Sequence, residues 1–116
     1  MTKAFEGVRV IDFSQVLAGP FAAGQLALLG ADVIKIEQPG QGDQMRTMMA
    51  NNELVALKLS PTFLGVNTNK RGITIDLKHP DASEIVSSIA PSPVTASKAP
   101  WPARRPTTAP FRRHRA

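Results

Sequence analysis

Hydrophobic residues occur along this chain in short dense runs divided by glycine and proline, a pattern that predicts an α/β fold. Val8 to Phe13 holds the β-branched residues Val8, Val10 and Ile11 and ends on Phe13, which predicts a strand. Its near-continuous apolarity suits a strand covered on both faces, as in a parallel sheet. Phe21, Ala22, Ala23, Leu26, Leu28 and Leu29 form a short, mostly apolar helix. Pro20 opens it at a first helical position, where a missing N–H costs nothing, and Gly30 closes it at the position that favours φ > 0. Ala31 to Glu37 sets Val33 and Lys35 against Ile34 and Ile36 and predicts a second strand. Strand, helix and strand make a βαβ unit, whose crossover is expected to be right-handed.

Gln38 to Gly42 is a loop by its glycines and proline. Asp43 to Ser60 contains helix-forming residues but no clean apolar stripe, and it predicts no definite element. Asn67 to Lys70 reads as a turn, and the alternation in Gly72 to Leu77 predicts a third strand. Pro80 opens a helix of about ten residues, with Asp81 and Glu84 in its first turn and Ile85, Val86 and Ile89 on its apolar face. From Pro91 onward the texture changes: residues 91–116 hold six prolines, one Trp, one Phe and no acid. Proline at that density forbids helix interiors and sheet ladders, so a disordered or polyproline-like tail is expected. The organisation is thus a partial parallel sheet over 1–90, with a Pro/Arg-rich tail over 91–116.

Charge follows the same boundary. The formal net charge is +5, yet residues 1–90 hold eight basic and nine acidic side chains, and the tail holds six basic ones. The pI of about 10.3 therefore describes a tail, not a domain, and gives no ground for a nucleic-acid partner. There is no cysteine, which excludes disulfides and thiolate metal sites. No signal peptide is read at MTKAFEGVRV, and no run approaches the roughly 20 apolar residues of a membrane span. A soluble, cytoplasmic protein is expected.

Four places could carry chemistry. SQVLAGP, Ser14 to Pro20, follows the first strand, at the carboxyl end where open α/β sheets bind ligands. A helix N-terminus there offers N–H groups to a phosphate. Neither G-x-G-x-x-G nor a P-loop lysine is present, and a Gly-Pro strand-to-helix turn serves structure as readily as a ligand. Glu37 ends the second strand, where an acid can hold a ribose hydroxyl or simply face solvent. Lys70 and Arg71 are adjacent cations in a turn, suited to a phosphate and equally ordinary on a surface. His79, before Pro80, is read as a helix-start residue rather than a catalytic or metal-binding one.

Taken together, FEGVRVIDFSQVLAGPFAAGQLALLGADVIKIEQPGQGDQMR and NTNKRGITIDLKHPDASEIVSSIA resemble the N-terminal part of the class III (CaiB/BaiF-type) CoA-transferases. That group includes formyl-CoA transferases and the related α-methylacyl-CoA racemases. The resemblance covers residues 5–90 with order and spacing kept. It implies a Rossmann-like large domain, homodimers among full-length relatives, and acyl-CoA as substrate with no metal. It also implies transfer of CoA between carboxylic acids through an aspartyl anhydride and an enzyme thioester. Gln15, Val16, Leu17 and Ala18 match the loop that lies along CoA. Gln38 matches a position that is often an arginine meeting the CoA nucleotide, a weaker contact as glutamine. Asn67, Thr68, Asn69, Lys70 and Arg71 match a segment that also lines the CoA site. SQVLAGP leans toward the transferase branch.

The family's pattern continues with a strand, an Asn-Phe-Arg-Pro-Gly-like loop and, further on, the nucleophilic aspartate. None of Asp12, Asp32, Asp43, Asp76 and Asp81 stands at that place, so no catalytic residue is assigned within 1–90. The expectation is a truncated transferase, with the tail arising from a shifted reading frame and little activity in the chain alone. The alternatives are a truncated racemase-type protein, a non-catalytic CoA-binding remnant, and a nucleic-acid binder acting through Trp101, Phe111 and the tail arginines.

Overall fold

The computed structural model describes residues 2–90. Strand β1 (Arg9–Asp12) leads through α1 (Ala18–Leu28) to β2 (Asp32–Glu37). The chain then passes a 3-10 turn (Gln44–Arg46) and two short helices, α2 (Asn52–Ala56) and α3 (Pro61–Val66). The described residues end in β3 (Arg71–Thr74) and α4 (Ala82–Ile89). The strands form one sheet in the order β1-β2-β3, with both pairs parallel. Arg9 stands opposite Asp32, and Ile34 opposite Arg71. β2, the longest and most apolar strand, takes the centre, and its four inner residues are all buried.

The period-2 alternation sends each strand's two parities to different helices. Val33 packs with Ala23, Ala27 and Ala31 around α1, joined by Phe5, Val10 and Leu26. Ile36 packs with Ile75 and Ala82 toward α4, joined by Ile11, Ile73, Val86 and Ile89. Small residues on the inner face of α1 let the helix lie close to the sheet and to α3. A methyl group at Gly24 would lie 2.7 Å from the Val66 carbonyl oxygen, a backbone atom with little room to give. Gly24→Ala should therefore lose about 1–2 kcal/mol net, the overlap outweighing the helix propensity that alanine gains. A lowered urea midpoint with an unchanged slope is the check. The outer face of α1 is also apolar, and Phe21 and Leu28 remain 55% and 53% exposed.

Several boundaries differ from those expected. β1 is confined to Arg9–Asp12, with Val8 and Phe13 exposed beyond its ends. α1 begins at Ala18, so Pro20 is not its first residue, although it stays in the first turn, where no intrahelical N–H bond is lost. Gly30 does take the left-handed conformation expected of it, at φ 107°. β3 starts and stops earlier than Gly72–Leu77. Its last ladder bond runs from the Ile75 N–H to the Glu37 carbonyl at 3.0 Å. α4 begins at Ala82, leaving Pro80 and Asp81 in the preceding turn.

The segment without a clean stripe holds α2, and α3 follows it. Each is too short to show a period, and only local signals mark them. Asn51 Oδ1 accepts from the Leu54 N–H at 2.9 Å at the start of α2, and Pro61 opens α3. The tail expected over 91–116, with the frameshift and nucleic-acid readings that depend on it, lies outside the described residues.

Candidate functional site

The parallel order places three loops together at the carboxyl ends of the strands: Phe13–Leu17 after β1, Gln38–Asp43 after β2, and the segment from Ile75 after β3. A cleft of about 130 Å³ opens among them, lined by Phe13, Gln15, Gln38 and Ile75 and by the charged residues Glu37, Asp76 and Lys78. A second hollow of about 170 Å³ shares Glu37 and Gln38 and adds Arg46 and Lys58.

Two buried ion pairs underlie the first loop. Lys35 has the same parity as Val33, so it points to the α1 side of the sheet, where water is excluded. Its Nζ lies 2.8 Å from Asp43 Oδ2, the two side chains being 3% and 0% exposed. It also donates to the Ser14 carbonyl at 2.8 Å. Asp43 Oδ1 accepts from the Val16 N–H at 3.0 Å and from the Met45 N–H at 2.9 Å. Burial by itself would raise the Asp43 carboxyl; the bonds from Lys35, Met45 and Val16 outweigh it and hold the group below the ordinary aspartate value. Val16 sits at φ 70°, a left-handed conformation that β-branched residues rarely adopt.

In the second pair, Lys70 Nζ lies 2.8 Å from Asp12 Oδ2, both side chains 2% exposed. The same ammonium donates to the Pro20 carbonyl at 2.7 Å and to Asn67 Oδ1 at 2.8 Å, so its three protons are all engaged. Asp12 Oδ1 accepts from the Ser14 N–H at 2.9 Å and from the Ser14 hydroxyl. Burial would raise the Asp12 carboxyl, but Lys70 and Ser14 bring it below its ordinary value. Burial likewise depresses Lys70, against the opposing pull of Asp12. Gly19 belongs to this corner, because a Cβ there would overlap the Ser14 side chain.

Glu37, a candidate for a ribose hydroxyl, is engaged within the chain. Arg46 grips it with Nε on Oε2 at 2.7 Å and Nη2 on Oε1 at 2.8 Å. The Asp43 N–H donates to Oε2 at 2.7 Å as well. The Arg46 hydrogen bonds, with the Asp43 amide, hold the Glu37 carboxyl below its ordinary value against the effect of burial. The Arg46 guanidinium lies 3.9 Å from the centre of the Phe63 ring, which fixes the second loop against α3.

The residues singled out by sequence therefore separate. Gln15 and Gln38 line the cleft, and Val16, Leu17 and Ala18 carry the loop from it into α1. Lys70 and Asn67 lie behind that loop, with the ammonium sequestered. Asn69 Nδ2 donates to the Ala27 carbonyl at 3.0 Å, and Thr68 lines a small hollow beside Phe21. Arg71 is at the opposite, amino end of the sheet, where it grips Asp32 at 2.8 and 2.6 Å beside Arg9. Lys70 and Arg71 thus do not act as a cation pair. His79 is exposed, its Nδ1 accepting from the Asp81 N–H at 3.2 Å. Sequence reasoning missed Lys35, Asp43 and Asp12. For Asp12 the available signal was a charge inside a strand predicted to be covered on both faces; for Lys35 it was a charge sharing parity with Val33 in the second strand.

Among the described residues no group of three or more His, Cys, Asp or Glu side chains could hold a metal ion, and no helix is long and apolar enough to cross a membrane. The sequence profile described as CoA-transferase family III matches residues 5–92. The chain belongs to that family. It is 45% identical over 89 residues to formyl-CoA:oxalate CoA-transferase of Rhodopseudomonas palustris (strain TIE-1), a match covering 77% of this chain and 20% of that protein. It is 45% identical over 91 residues to succinyl-CoA:glutarate CoA-transferase of Mus musculus, covering 76% of this chain and 20% of the relative.

Solved structures agree with the fold. A hypothetical protein (Rv3272) from Mycobacterium tuberculosis superposes with a TM-score of 0.61 at 38% identity, covering 72% of this chain and 22% of that one. A CAIB/BAIF family protein from Brucella suis gives 0.61 at 32% identity, covering 74% and 23%. The family chain described here thus spans about a fifth of the length of the curated relatives it matches.

Proposed function

We propose that residues 1–90 form the part of a class III CoA-transferase that receives the CoA moiety of an acyl-CoA in the cytoplasm. The observation that carries this reading is the family-matched loop Gln15–Ala18, seated at the carboxyl ends of parallel strands beside an open cleft. Gln15 and Gln38 supply neutral amides to that cleft, Phe13 and Ile75 supply apolar walls, and Lys78 supplies a cation beside the carboxylates of Glu37 and Asp76. α1 meets the loop with no acidic residue in its first turn and no side-chain cap, which leaves N–H groups for an anionic ligand. Lys70 and Asn67 serve the site from behind by fixing Pro20 and Asp12. A CoA contact for Thr68, Asn69 or Arg71 rests on the family resemblance, as does homodimerisation.

In the reaction assigned to the whole protein, a carboxylate attacks the acyl-CoA carbonyl and expels the CoA thiolate, leaving a mixed anhydride. The thiolate attacks the enzyme's side of that anhydride, releasing the donor acid and leaving an enzyme thioester. The acceptor acid then repeats the two steps in reverse. Asp12 and Asp43 are buried in ion pairs and Asp32 is held between two arginines, so none of these three is free to be that nucleophile. Titration calorimetry of the purified chain with CoA tests the reading. Saturable one-site heat, without acyl transfer from formyl-CoA or succinyl-CoA, is the expected result. No heat at millimolar CoA would overturn it.

A further inference from the structure

Val16 is the residue of the loop that needs an explanation. A β-branched side chain at φ 70° persists only where its surroundings over-determine the backbone. The contacts that act on this loop are few. Asp12 binds the Ser14 N–H and hydroxyl, Lys35 binds the Ser14 carbonyl, and among the described residues only Asp43 binds the Val16 N–H itself. Asp43 is well placed to do so, because its other oxygen is anchored by Lys35 and its Oδ1 also holds the Met45 N–H. The carboxylate is buried and cannot reach a ligand in the cleft.

We propose that Asp43, anchored by Lys35, is a positioning residue that presets the CoA-facing loop by holding Val16 in its left-handed conformation. The inference rests on the assignment of Gln15–Ala18 to CoA. It adds that affinity depends on a carboxylate that touches no part of the ligand. A loop whose competent conformation is only partly populated binds in proportion to that population. Removing Asp43 therefore weakens CoA binding, and making φ > 0 easy at position 16 restores it.

The test uses the full chain with Lys35→Met and Asp43→Leu together, so that no buried charge is left unpaired. Val16→Gly is then added, since glycine takes φ > 0 without a Cβ penalty. Amide hydrogen exchange and CoA calorimetry are read on each protein. The double variant should exchange the Val16 amide at least tenfold faster, with the Ile34 and Ile36 amides unchanged, and should bind CoA about tenfold more weakly. The triple variant should recover most of that loss. An unchanged Val16 amide, or a CoA loss that Val16→Gly does not repair, overturns the proposal. If the double variant does not fold, Asp43→Ala, which removes the acceptor, must still speed Val16 exchange, or the proposal falls. A parent chain that binds no CoA defeats the functional assignment instead, and Val16 exchange still decides whether Asp43 holds the loop.

Discussion

Replacing Lys70 with methionine should lower the urea midpoint sharply, whereas replacing the adjacent Arg71 should leave it nearly unchanged. The two cations are neighbours in sequence and opposites in environment. Among the described residues Lys70 is the sole ion-pair partner of a carboxylate that is 2% exposed, and it also ties the Pro20 carbonyl and Asn67. Its loss leaves the Asp12 charge buried and uncompensated, an effect of about 3–5 kcal/mol. Domains are stable by only about 0.05–0.15 kcal/mol per residue, so a loss of that size is a large share of what a chain this short has. Asp12→Leu combined with Lys70→Met removes both charges and should recover much of the stability. Arg71 grips Asp32 in solvent, where screening and side-chain entropy offset the attraction. Circular dichroism against urea on the four proteins is the measurement. A Lys70→Met protein as stable as the parent would show that Asp12 tolerates burial without its partner.

Acid should unfold the protein in a window set by the same pairs. Asp12, Asp43 and Glu37 all have carboxyl groups held below their ordinary values of 3.8, 3.8 and 4.5. A carboxylate depressed in the folded state binds its proton later than in the unfolded state. Its contribution is therefore fully present above the unfolded value and is lost as the pH falls through the folded one. Stability should hold above about pH 5 and fall steeply from about pH 4.5 downward, where the unfolded chain takes up more protons than the native one. Three groups lie in one connected corner, so the loss should be a single cooperative step. Midpoint denaturation measured from pH 7 to pH 3 checks this, and a flat profile through pH 4 would contradict it. Asp32 is depressed too, chiefly by hydrogen bonds from Arg9 and Arg71, but it is exposed and should add little.

The strand–helix–strand order and the separation of faces were legible in the residues themselves. Val33 and Lys35 against Ile34 and Ile36 is a period-2 pattern, and the structure sends those two sets to α1 and α4 as the pattern requires. Gly30 at positive φ was equally legible, because the need for φ > 0 is local. So was the family, since order and spacing over many positions survive without knowledge of any contact. The short helices α2 and α3 were not, because five or six residues cannot display a 3.6-residue period.

The charges were the larger gap. Sequence alone shows that a lysine within VIKI must find a buried partner, but not which of several acids supplies it. The choice was made by the return of the chain. Asp43 meets Val16 across 27 positions, and Lys70 meets Asp12 across 58. It also sent Lys70 inward behind the first loop while Arg71, one residue later, turned to the far end of the sheet. Local alternation decides which face a side chain takes. Only the packing of distant segments decides what it meets there, and at this site those meetings hold the loop in shape.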